Sequence, residues 1–395
     1  MPRPELRRVG ALPPYVFAAI NDLKLNLRRA GEDVVDLGFG NPDLPSPAVA
    51  VEKLREAAAS PRNHRYSASR GIPNLRRAIC DLYARRFGVE LDPETQALTT
   101  IGAKEGLAHL MWVLVQPGDA AVVPGPSYPI HLFAPVFAGA VVEQVPVGAA
   151  EEDLFGNVVE AFERSHPRPR VLLLSFPHNP TTATVELEFM QRVVDFAREQ
   201  ELIVVHDFAY ADLAFDGYVP PSILQADGAG EVAVELYTLT KSFSMAGWRV
   251  GFIVGNAEVV RALARLKSYL DYGTFQPIQI AATVAMNEAP DFPKEVNEIY
   301  RGRRDALIDG LARIGWHIER PRGTMFVWAK VPEPYAEMSS LEFATLCVSE
   351  AKVAISPGSG FGPGGEGFIR FALVENEQRI QQAVRQLRKG LTKLG

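Results

Sequence analysis

The strongest constraint on the fold of this chain is a regular alternation of short β-rich runs with amphipathic segments between about residues 48 and 285. The β-rich runs lie at residues 97–101, 120–123, 141–147, 171–176, 202–207, 235–239 and 250–254. This alternation is typical of a mainly parallel sheet that is covered by helices on both faces. We therefore predict an α/β fold with a large domain over residues 48–285.

The pattern changes after residue 285. A long helical pattern follows Pro293, and a closing helix is predicted from about Glu375. Further strands are predicted at residues 325–330, 353–355 and 368–372. The sequence thus predicts a smaller α+β domain over residues 286–395. Residues 1–47, with a helix at about 17–29, are too short to fold alone, and we expect them to form an N-terminal arm and part of the small domain.

Composition excludes several classes of protein. The 395 residues are 47% hydrophobic, and the formal net charge is -6, which argues against a nucleic-acid partner. The two cysteines, Cys80 and Cys347, lie in apolar helical patterns and are expected to be buried thiols in a reducing compartment. No run of about 18 apolar residues occurs, and the first residues lack the apolar core of a secretion signal. We therefore expect a cytoplasmic protein without a membrane partner.

A carboxylate follows one of the predicted buried strands. The strand ends in His206-Asp207 and is followed by Phe208-Ala209-Tyr210. In open parallel sheets, ligands bind in the crevice at the carboxyl ends of the strands, so Asp207 and Tyr210 are candidates for a binding site. Taken alone, an aspartate at a strand end is more often a capping or surface residue.

The segment after the next strand strengthens this prediction. Lys241 follows a β-rich run that contains Thr238, and Arg249 follows a glycine-containing turn. A lysine at a strand end can be desolvated, and its amine is then neutral and nucleophilic, as imine formation requires. The fork of Arg249 suits a phosphate group, with the Thr238 hydroxyl as a further candidate donor. Either Lys241 or Arg249 alone could be an ordinary surface residue beside a tight turn. That interpretation does not explain why both occur together with Thr238 near a strand end.

The chain resembles the class I and II aminotransferases of the fold type I pyridoxal 5′-phosphate (PLP) superfamily. The resemblance covers nearly the whole chain, and its motifs occur in the order that the family shows. These motifs are Tyr66-Ser-Ala-Ser-Arg-Gly71, Gly102-Ala-Lys-Glu-Gly106, Pro126-Ser-Tyr128-Pro129, Pro177-His-Asn179-Pro180, the Asp207 and Tyr210 pair, Lys241 to Arg249, and Arg370. Six or more motifs in order are a much more specific signal than one glycine-rich loop.

The resemblance implies roles for the residues that would hold the ring of PLP. Lys241 would bind PLP as an imine and then carry the proton of the substrate α-carbon. Asp207 would pair with the pyridine nitrogen and keep it protonated, which makes the ring an electron sink. Tyr210 and Asn179 would donate hydrogen bonds to the phenolate oxygen. Tyr128 would lie against the ring face.

The resemblance also implies a phosphate site and a dimer. The first N–H groups of a helix at Ala103 and Lys104 would bind the phosphate, together with Arg249 and Thr238. A tyrosine matching Tyr66 reaches the phosphate from the neighbouring subunit in this family. We therefore expect a homodimer with composite active sites, although Tyr66 could instead be a buried core aromatic.

The resemblance further implies that Arg370 would bind the substrate α-carboxylate, with Asn179 and the backbone of Gly40 nearby. No metal is expected.

The specificity for the rest of the substrate is less constrained. The segment 266–300 contains no arginine, whereas aspartate-specific relatives carry one downstream of the lysine segment. Non-catalytic stretches are similar to those of bacterial glutamate–pyruvate (alanine) aminotransferases, which implies small amino acids and 2-oxo acids as substrates. Four cations remain unranked candidates for binding a distal carboxylate, namely Lys24, Arg28, Arg70 and Lys267.

Alternative functions remain open. The same fold supports aminotransferases specific for aspartate, LL-diaminopimelate or aromatic substrates, and PLP-dependent C–S β-lyases. A PLP-binding regulator that acts on DNA has little support, because no helix-turn-helix extension precedes the fold and the charge is acidic. The glycines of Gly358-Ser-Gly360-Phe-Gly362 lack the strand-turn-helix context of a nicotinamide-binding unit.

Overall fold

A computed structural model describes residues 12, 16–148 and 150–392. Much of the predicted N-terminal arm, residues 1–11 and 13–15, lies outside the described residues. Among the described residues, no helix combines the length and the apolar character needed to cross a lipid bilayer.

Ten of the twelve β-strands in the described residues agree with the predicted runs to within a few residues, while β1 and β11 were not predicted. They are β1 (Val35–Asp36), β2 (Ala97–Thr100), β3 (Ala120–Gly125), β4 (Val141–Pro146), β5 (Val171–Leu174), β6 (Ile203–Asp207), β7 (Ala233–Thr238), β8 (Gly251–Gly255), β9 (Phe326–Lys330), β10 (Val353–Ala354), β11 (Ser356–Pro357) and β12 (Phe368–Ala372).

The α-helices alternate with these strands along most of the chain. They are α1 (Val16–Arg29), α2 (Ala48–Ala59), α3 (Pro73–Phe87), α4 (Ala103–Leu114), α5 (Pro129–Ala138), α6 (Glu151–Arg164), α7 (Leu187–Glu199), α8 (Ala229–Val232), α9 (Leu239–Ser242), α10 (Ala257–Leu270), α11 (Gln276–Glu288), α12 (Phe292–Ala312), α13 (Ser340–Ser349) and α14 (Glu377–Gly390).

Seven strands form one sheet in the order β2-β8-β7-β6-β5-β3-β4. Every strand in it is parallel to the others except β8, which is antiparallel to both of its neighbours. The prediction of a mainly parallel sheet is therefore confirmed.

Helices cover both faces of this sheet, because successive strand residues point to opposite sides. Ala121 and Val123 of β3 pack in a core cluster with α4, α5 and α10. Val122 packs on the other side with α6 and α7. All six residues of β3 are buried, which explains why this strand is an unbroken apolar run instead of an alternating one.

A second unit contains the small sheets β11-β12-β9 and β1-β10. Its core cluster combines α1 and β1 with elements from α12 to the end of α14, so the two ends of the chain share one core. Helix α14 shows the reason in its sequence, since Ile380, Ala383, Val384 and Leu387 are buried at helical spacing. Domain boundaries at residues 47 and 285 stay predictions.

The sheet topology places several chain segments at one edge. Strands β2, β3, β5, β6 and β7 all end at the same side of the sheet. The antiparallel strand β8 begins there, with Gly251 paired to Thr238. Segments that are far apart in sequence therefore meet at this edge, below the second unit.

Candidate active site

A cavity of about 820 Å³ lies at this edge of the sheet. Eleven of the twelve predicted site residues line it, and they come from both units of the fold. These residues are Gly40, Ala103, Lys104, Tyr128, Asn179, Asp207, Tyr210, Thr238, Lys241, Arg249 and Arg370. Tyr66 does not line the cavity, and its side chain is 84% exposed.

Lys241 lies in the short helix α9, directly after β7. The Thr238 hydroxyl accepts a hydrogen bond from the N–H of Thr240 and so caps this helix. The Lys241 amine donates to the carbonyl oxygen of Gly40 at 2.8 Å. Burial, followed by the positive charges of Arg370 and Arg249, lowers the pKa of Lys241 from 10.5 to about 7. A substantial fraction of this amine is therefore neutral at neutral pH, as a nucleophile requires.

Asp207 is the last residue of β6, and its two carboxylate oxygens differ. Oδ2 is 2.8 Å from Nε2 of His131, while Nδ1 of His131 is 2.9 Å from the Ser127 hydroxyl. Since a carboxylate only accepts, His131 donates to Asp207 and accepts from Ser127. Oδ1 is buried and has no hydrogen-bond partner among the described residues.

This unpaired oxygen provides a test for the expected cofactor. A buried acceptor that lacks a donor is costly, and Asp207 lines the cavity. A protonated pyridine nitrogen supplies the missing donor and a compensating positive charge. The Asp207 carboxylate, supported by His131, therefore fits the ring of PLP.

The start of α4 has the features of an anion site. Gly102 precedes the helix with a φ of +78°, and the following residues Ala103 and Lys104 have no intrahelical acceptor for their N–H groups. The Arg249 guanidinium packs against Gly102, where a Cβ atom would lie 2.3 Å from its Nη2. Helix N–H groups beside an arginine fork fit the phosphate of PLP.

Two residues predicted to contact the phosphate, Thr238 and Lys104, have side chains that are less suited to that role. Besides capping α9, the Thr238 hydroxyl lies 3.1 Å from the Val250 carbonyl oxygen and 2.9 Å from the Thr240 hydroxyl. Its hydrogen-bonding capacity is thus largely used within the protein. The side chain of Lys104 is exposed, and its ammonium lies 5.7 Å from the centroid of the Tyr128 ring.

Arg370 projects from β12 of the second unit and is held on several sides. Its Nη1 donates to Oδ1 of Asn179 at 2.8 Å, and its Nη2 donates to the Gly38 carbonyl oxygen at 3.3 Å. Its guanidinium carbon lies 3.9 Å from the centroid of Phe326 and 4.6 Å from that of Phe361. Aromatic faces and hydrogen bonds thus orient a planar fork that suits a carboxylate.

Two tyrosines complete the walls of the cavity. Burial raises the pKa of Tyr128, and it raises the pKa of Tyr210 well above its usual range. Both hydroxyl groups are therefore protonated at neutral pH. The Tyr210 ring packs edge-on against Phe326 at 5.6 Å, which joins the two units at the cavity.

Tyr66 belongs to an exposed aromatic patch instead. Its ring centroid lies 4.5 Å from that of Tyr272, which is 60% exposed, and Tyr269 and Phe275 are also exposed. Tyr66 is thus not a buried core aromatic.

Some residues in and around the cavity were not found from the sequence. His131 has no motif of its own, and only the tertiary structure places the first turn of α5 beside Asp207 at the end of β6. Phe326 and Phe361 were not among the predicted site residues, although their rings pack against the guanidinium of Arg370. The one available signal was the spacing of Ser127 and His131, which lie one helical turn apart at the start of α5.

Comparison with known proteins agrees with this geometry. A family model described as aminotransferase class I and II matches residues 32–394. The glutamate–pyruvate aminotransferase AlaC of Escherichia coli (strain K12) is 52% identical over 97% of this chain and 93% of its own. An LL-diaminopimelate aminotransferase of Desulforudis audaxviator (strain MP104C) is 44% identical over 97% of both chains. The substrate-bound BacF structure from Bacillus subtilis superposes with a TM-score of 0.91 at 33% identity, over 100% of this chain and 98% of that chain.

Proposed function

Because this chain belongs to the class I and II aminotransferases, which are PLP-dependent enzymes, we propose that it transfers the α-amino group between alanine or glutamate and pyruvate or 2-oxoglutarate. The observation that carries the proposal is the 52% identity to a glutamate–pyruvate aminotransferase along nearly the whole chain. Aspartate-specific relatives are expected to bind the side-chain carboxylate of the substrate with an arginine downstream of the lysine segment. Residues 266–300 contain no arginine, which argues against such a site in this chain.

Each half of the reaction needs a group that holds the substrate by its α-carboxylate. Arg370 offers a preoriented fork, and Asn179 braces it from the other unit. We expect a bound carboxylate to accept two hydrogen bonds from this fork, which fixes the α-carbon toward Lys241.

Bound PLP supplies a conjugated ring that accepts the electrons released when the α-proton leaves. Asp207 would pair with the ring nitrogen, and His131 holds the Asp207 carboxylate in place by a hydrogen bond. Tyr210 and Asn179 would donate hydrogen bonds to the phenolate oxygen. The start of α4 and Arg249 would bind the phosphate.

Lys241 moves the proton. In the enzyme loaded with PLP, the neutral Lys241 amine would accept the proton of the substrate α-carbon and pass it on to the cofactor. Its lowered pKa suits this task, because the amine accepts and releases a proton near neutral pH. Two such half-reactions in sequence give a ping-pong mechanism.

The test is a set of half-reactions with single substrates. Adding alanine or glutamate alone to the PLP enzyme should convert its absorbance to that of the amine form of the cofactor. Pyruvate or 2-oxoglutarate should reverse the change. Failure of both amino acids, with conversion by LL-diaminopimelate or an aromatic amino acid, would reject the proposed substrates.

Two other activities are separated by the same experiment. LL-diaminopimelate is the second candidate donor, since a relative with that activity in its name is 44% identical. A C–S β-lyase would release pyruvate continuously from cystathionine without any added keto acid. Stoichiometric conversion that stops after one turnover excludes the lyase.

The active enzyme is proposed to be a homodimer with composite sites. In support, Tyr66 lies outside the cavity of its own chain, and the patch around it exposes Tyr269, Tyr272 and Phe275. A monomer rarely leaves such a patch uncovered, whereas a second copy could bury it and bring Tyr66 to the phosphate of its partner. Cytoplasmic location is likewise proposed, and it agrees with the free, buried Cys80 and Cys347.

A further inference from the structure

Four cations were predicted as candidates for binding a distal substrate carboxylate, and the structure shows which of them lines the cavity. Arg28 and Arg70 each donate to a backbone carbonyl oxygen, and neither lines the cavity. Lys267 is fully buried in another ion-pair cluster, also outside the cavity. Lys24 of α1 does line the cavity, and it is 9% exposed.

Lys24 is connected to the substrate-binding arginine by a short series of contacts. Its ammonium donates to Oδ2 of Asp36 at 2.7 Å, and Oδ1 of Asp36 accepts from the N–H of Gly38 at 3.0 Å. The carbonyl oxygen of Gly38 in turn accepts from Arg370 at 3.3 Å. Lys24 therefore lies on the Arg370 side of the cavity, whereas Arg249 marks the phosphate side.

Apolar side chains contribute much of the cavity lining that includes Lys24. Phe17 and Ile20 of α1 line the cavity together with Phe39, Ile355 and Phe361, while Asn21 and Ser356 add polar groups. A carboxylate that enters an apolar compartment loses its hydration and needs a charged partner there. Lys24 supplies one, and its pairing with Asp36 avoids an unpaired buried ammonium when no such substrate is bound.

A lysine in this position can serve two carboxylates at once. An ammonium group has three donors, and among the described residues the Lys24 ammonium has one acceptor, Asp36. The same chain contains such an arrangement, since the buried Lys267 donates to Glu105 at 2.7 Å and to Asp271 at 2.8 Å. One ammonium between two carboxylates is thus compatible with a buried site in this protein.

We propose that Lys24, held in place by Asp36, binds the distal carboxylate of glutamate and 2-oxoglutarate and so determines the use of dicarboxylic substrates. This inference rests on the proposed function. Alanine and pyruvate have no distal carboxylate, and they leave the Lys24–Asp36 pair intact. Lys104 is the competing cation of the cavity, but it is exposed and lies at the phosphate end.

The test compares single half-reactions of the wild-type enzyme and the Lys24→Met variant, in which a side chain of similar length has no charge. Amino acids are added to the PLP form of each enzyme, and 2-oxo acids are added to the form that carries the amine form of the cofactor. The ratio of rate to half-saturation for glutamate and 2-oxoglutarate should fall about 10- to 100-fold, as expected for a lost hydrogen bond between charged groups. The same ratio for alanine and pyruvate, which have no distal carboxylate, should change less than about threefold. Lys24→Arg should retain most of the glutamate reaction.

Asp36→Asn gives a prediction of opposite sign. It keeps an acceptor for Gly38 but removes the negative charge that competes for Lys24, so the preference for glutamate over alanine should rise. Lys53→Met, which removes a lysine of α2 paired to Glu56 outside the cavity, is the matched control and should change neither substrate.

Several outcomes would overturn the inference. An equal loss for alanine and glutamate in Lys24→Met, or a selective loss of glutamate in Lys104→Met alone, would assign the distal carboxylate elsewhere. If Lys24→Met does not fold, as judged by circular dichroism and PLP absorbance, Lys24→Gln is compared in its place. A wild-type enzyme that reacts with neither glutamate nor alanine rejects the proposed function itself, before any variant is compared.

Discussion

At the scale of single residues, the site depends on charges that the protein shifts or balances. Lys241 is a lysine whose burial and two neighbouring arginines lower its pKa to about 7. Asp207 is a buried carboxylate with one oxygen paired to His131 and the other without a hydrogen-bond partner among the described residues. The state of Lys241 does not follow from the residue type, because a lysine on the surface would keep its ordinary titration.

The pKa of Lys241 predicts how the cofactor-free protein takes up PLP. The amine is protonated below its pKa, so the rate of imine formation should fall as the pH drops through 7, to about one tenth of its plateau at pH 6. The change in PLP absorbance after rapid mixing measures this rate. A midpoint above pH 9, typical of an exposed lysine, would contradict the assignment.

His131→Phe should impair catalysis without emptying the site. The variant keeps an aromatic ring against Tyr128 but removes the hydrogen-bond donor that holds the Asp207 carboxylate. We expect the half-reaction to slow about 10- to 100-fold while PLP still binds. Ser127→Ala is the control, since it leaves the bond between His131 and Asp207 intact and should have a smaller effect. An unchanged half-reaction rate in His131→Phe would mean that His131 only fills space.

At the scale of elements, the strand ends and helix starts bring the site together. Lys241 lies in a one-turn helix that is capped by the last residue of β7, and the anion site is the first turn of α4. Strands β6 and β7 are neighbours in the sheet, which places Asp207 and Lys241 at one edge although they are separated in sequence. Their relative positions thus follow from the parallel pairing.

Gly102→Ala should weaken cofactor binding through the start of α4. The new Cβ atom would meet Arg249, and the φ of +78° is unfavourable for alanine. We expect PLP affinity to fall at least about tenfold, since both elements of the anion site are displaced. Fluorescence titration of the cofactor-free protein measures it.

Gly88→Ala is the matched control for this prediction. Gly88 ends α3 with a φ of +67° and has open space at its Cβ position. Its substitution should cost about 1 kcal/mol in the free energy of unfolding and leave PLP affinity unchanged. Equal PLP affinities in the two variants would show that the start of α4 does not bind the phosphate.

At the scale of the whole molecule, the cavity lies between two units, and Tyr66 of the aromatic patch does not line it. Arg370 comes from the second unit, while Asp207 ends β6 and Lys241 follows β7 of the large sheet. Tyr66 is the predicted site residue that one chain does not bring to its own cavity. A second copy is the simplest way to complete the site.

Mixing two inactive variants tests this composite site. Lys241→Ala retains Tyr66, and Tyr66→Phe retains Lys241, so a hybrid dimer has one complete site. When equal amounts of the two variants exchange subunits at random, half of the dimers are hybrids, and each hybrid has one complete site of two. At limiting PLP, the mixture should therefore recover about a quarter of wild-type activity. A mixture of Lys241→Ala with Asp207→Ala should recover none, because both residues serve the same chain's site. No recovery in the first mixture, despite proven subunit exchange, would reject the role of Tyr66.

The sequence by itself determined the α/β architecture and most strand positions, because strand periodicity is local. The eleven predicted residues that line the cavity were implied by the resemblance of the motifs to the class I and II aminotransferases. Boundaries differed by a few residues where pairing decides them, as in β7, which begins at Ala233 opposite Val204 of β6.

Only the tertiary structure decided which other side chains meet these residues. His131 reaches Asp207, and Lys24 of α1 reaches the cavity while Lys267 is taken up by Glu105 and Asp271. The physical reason is that burial, charge pairing and the lowered pKa of Lys241 depend on contacts between distant segments. Such contacts leave no periodic or motif signal in the chain.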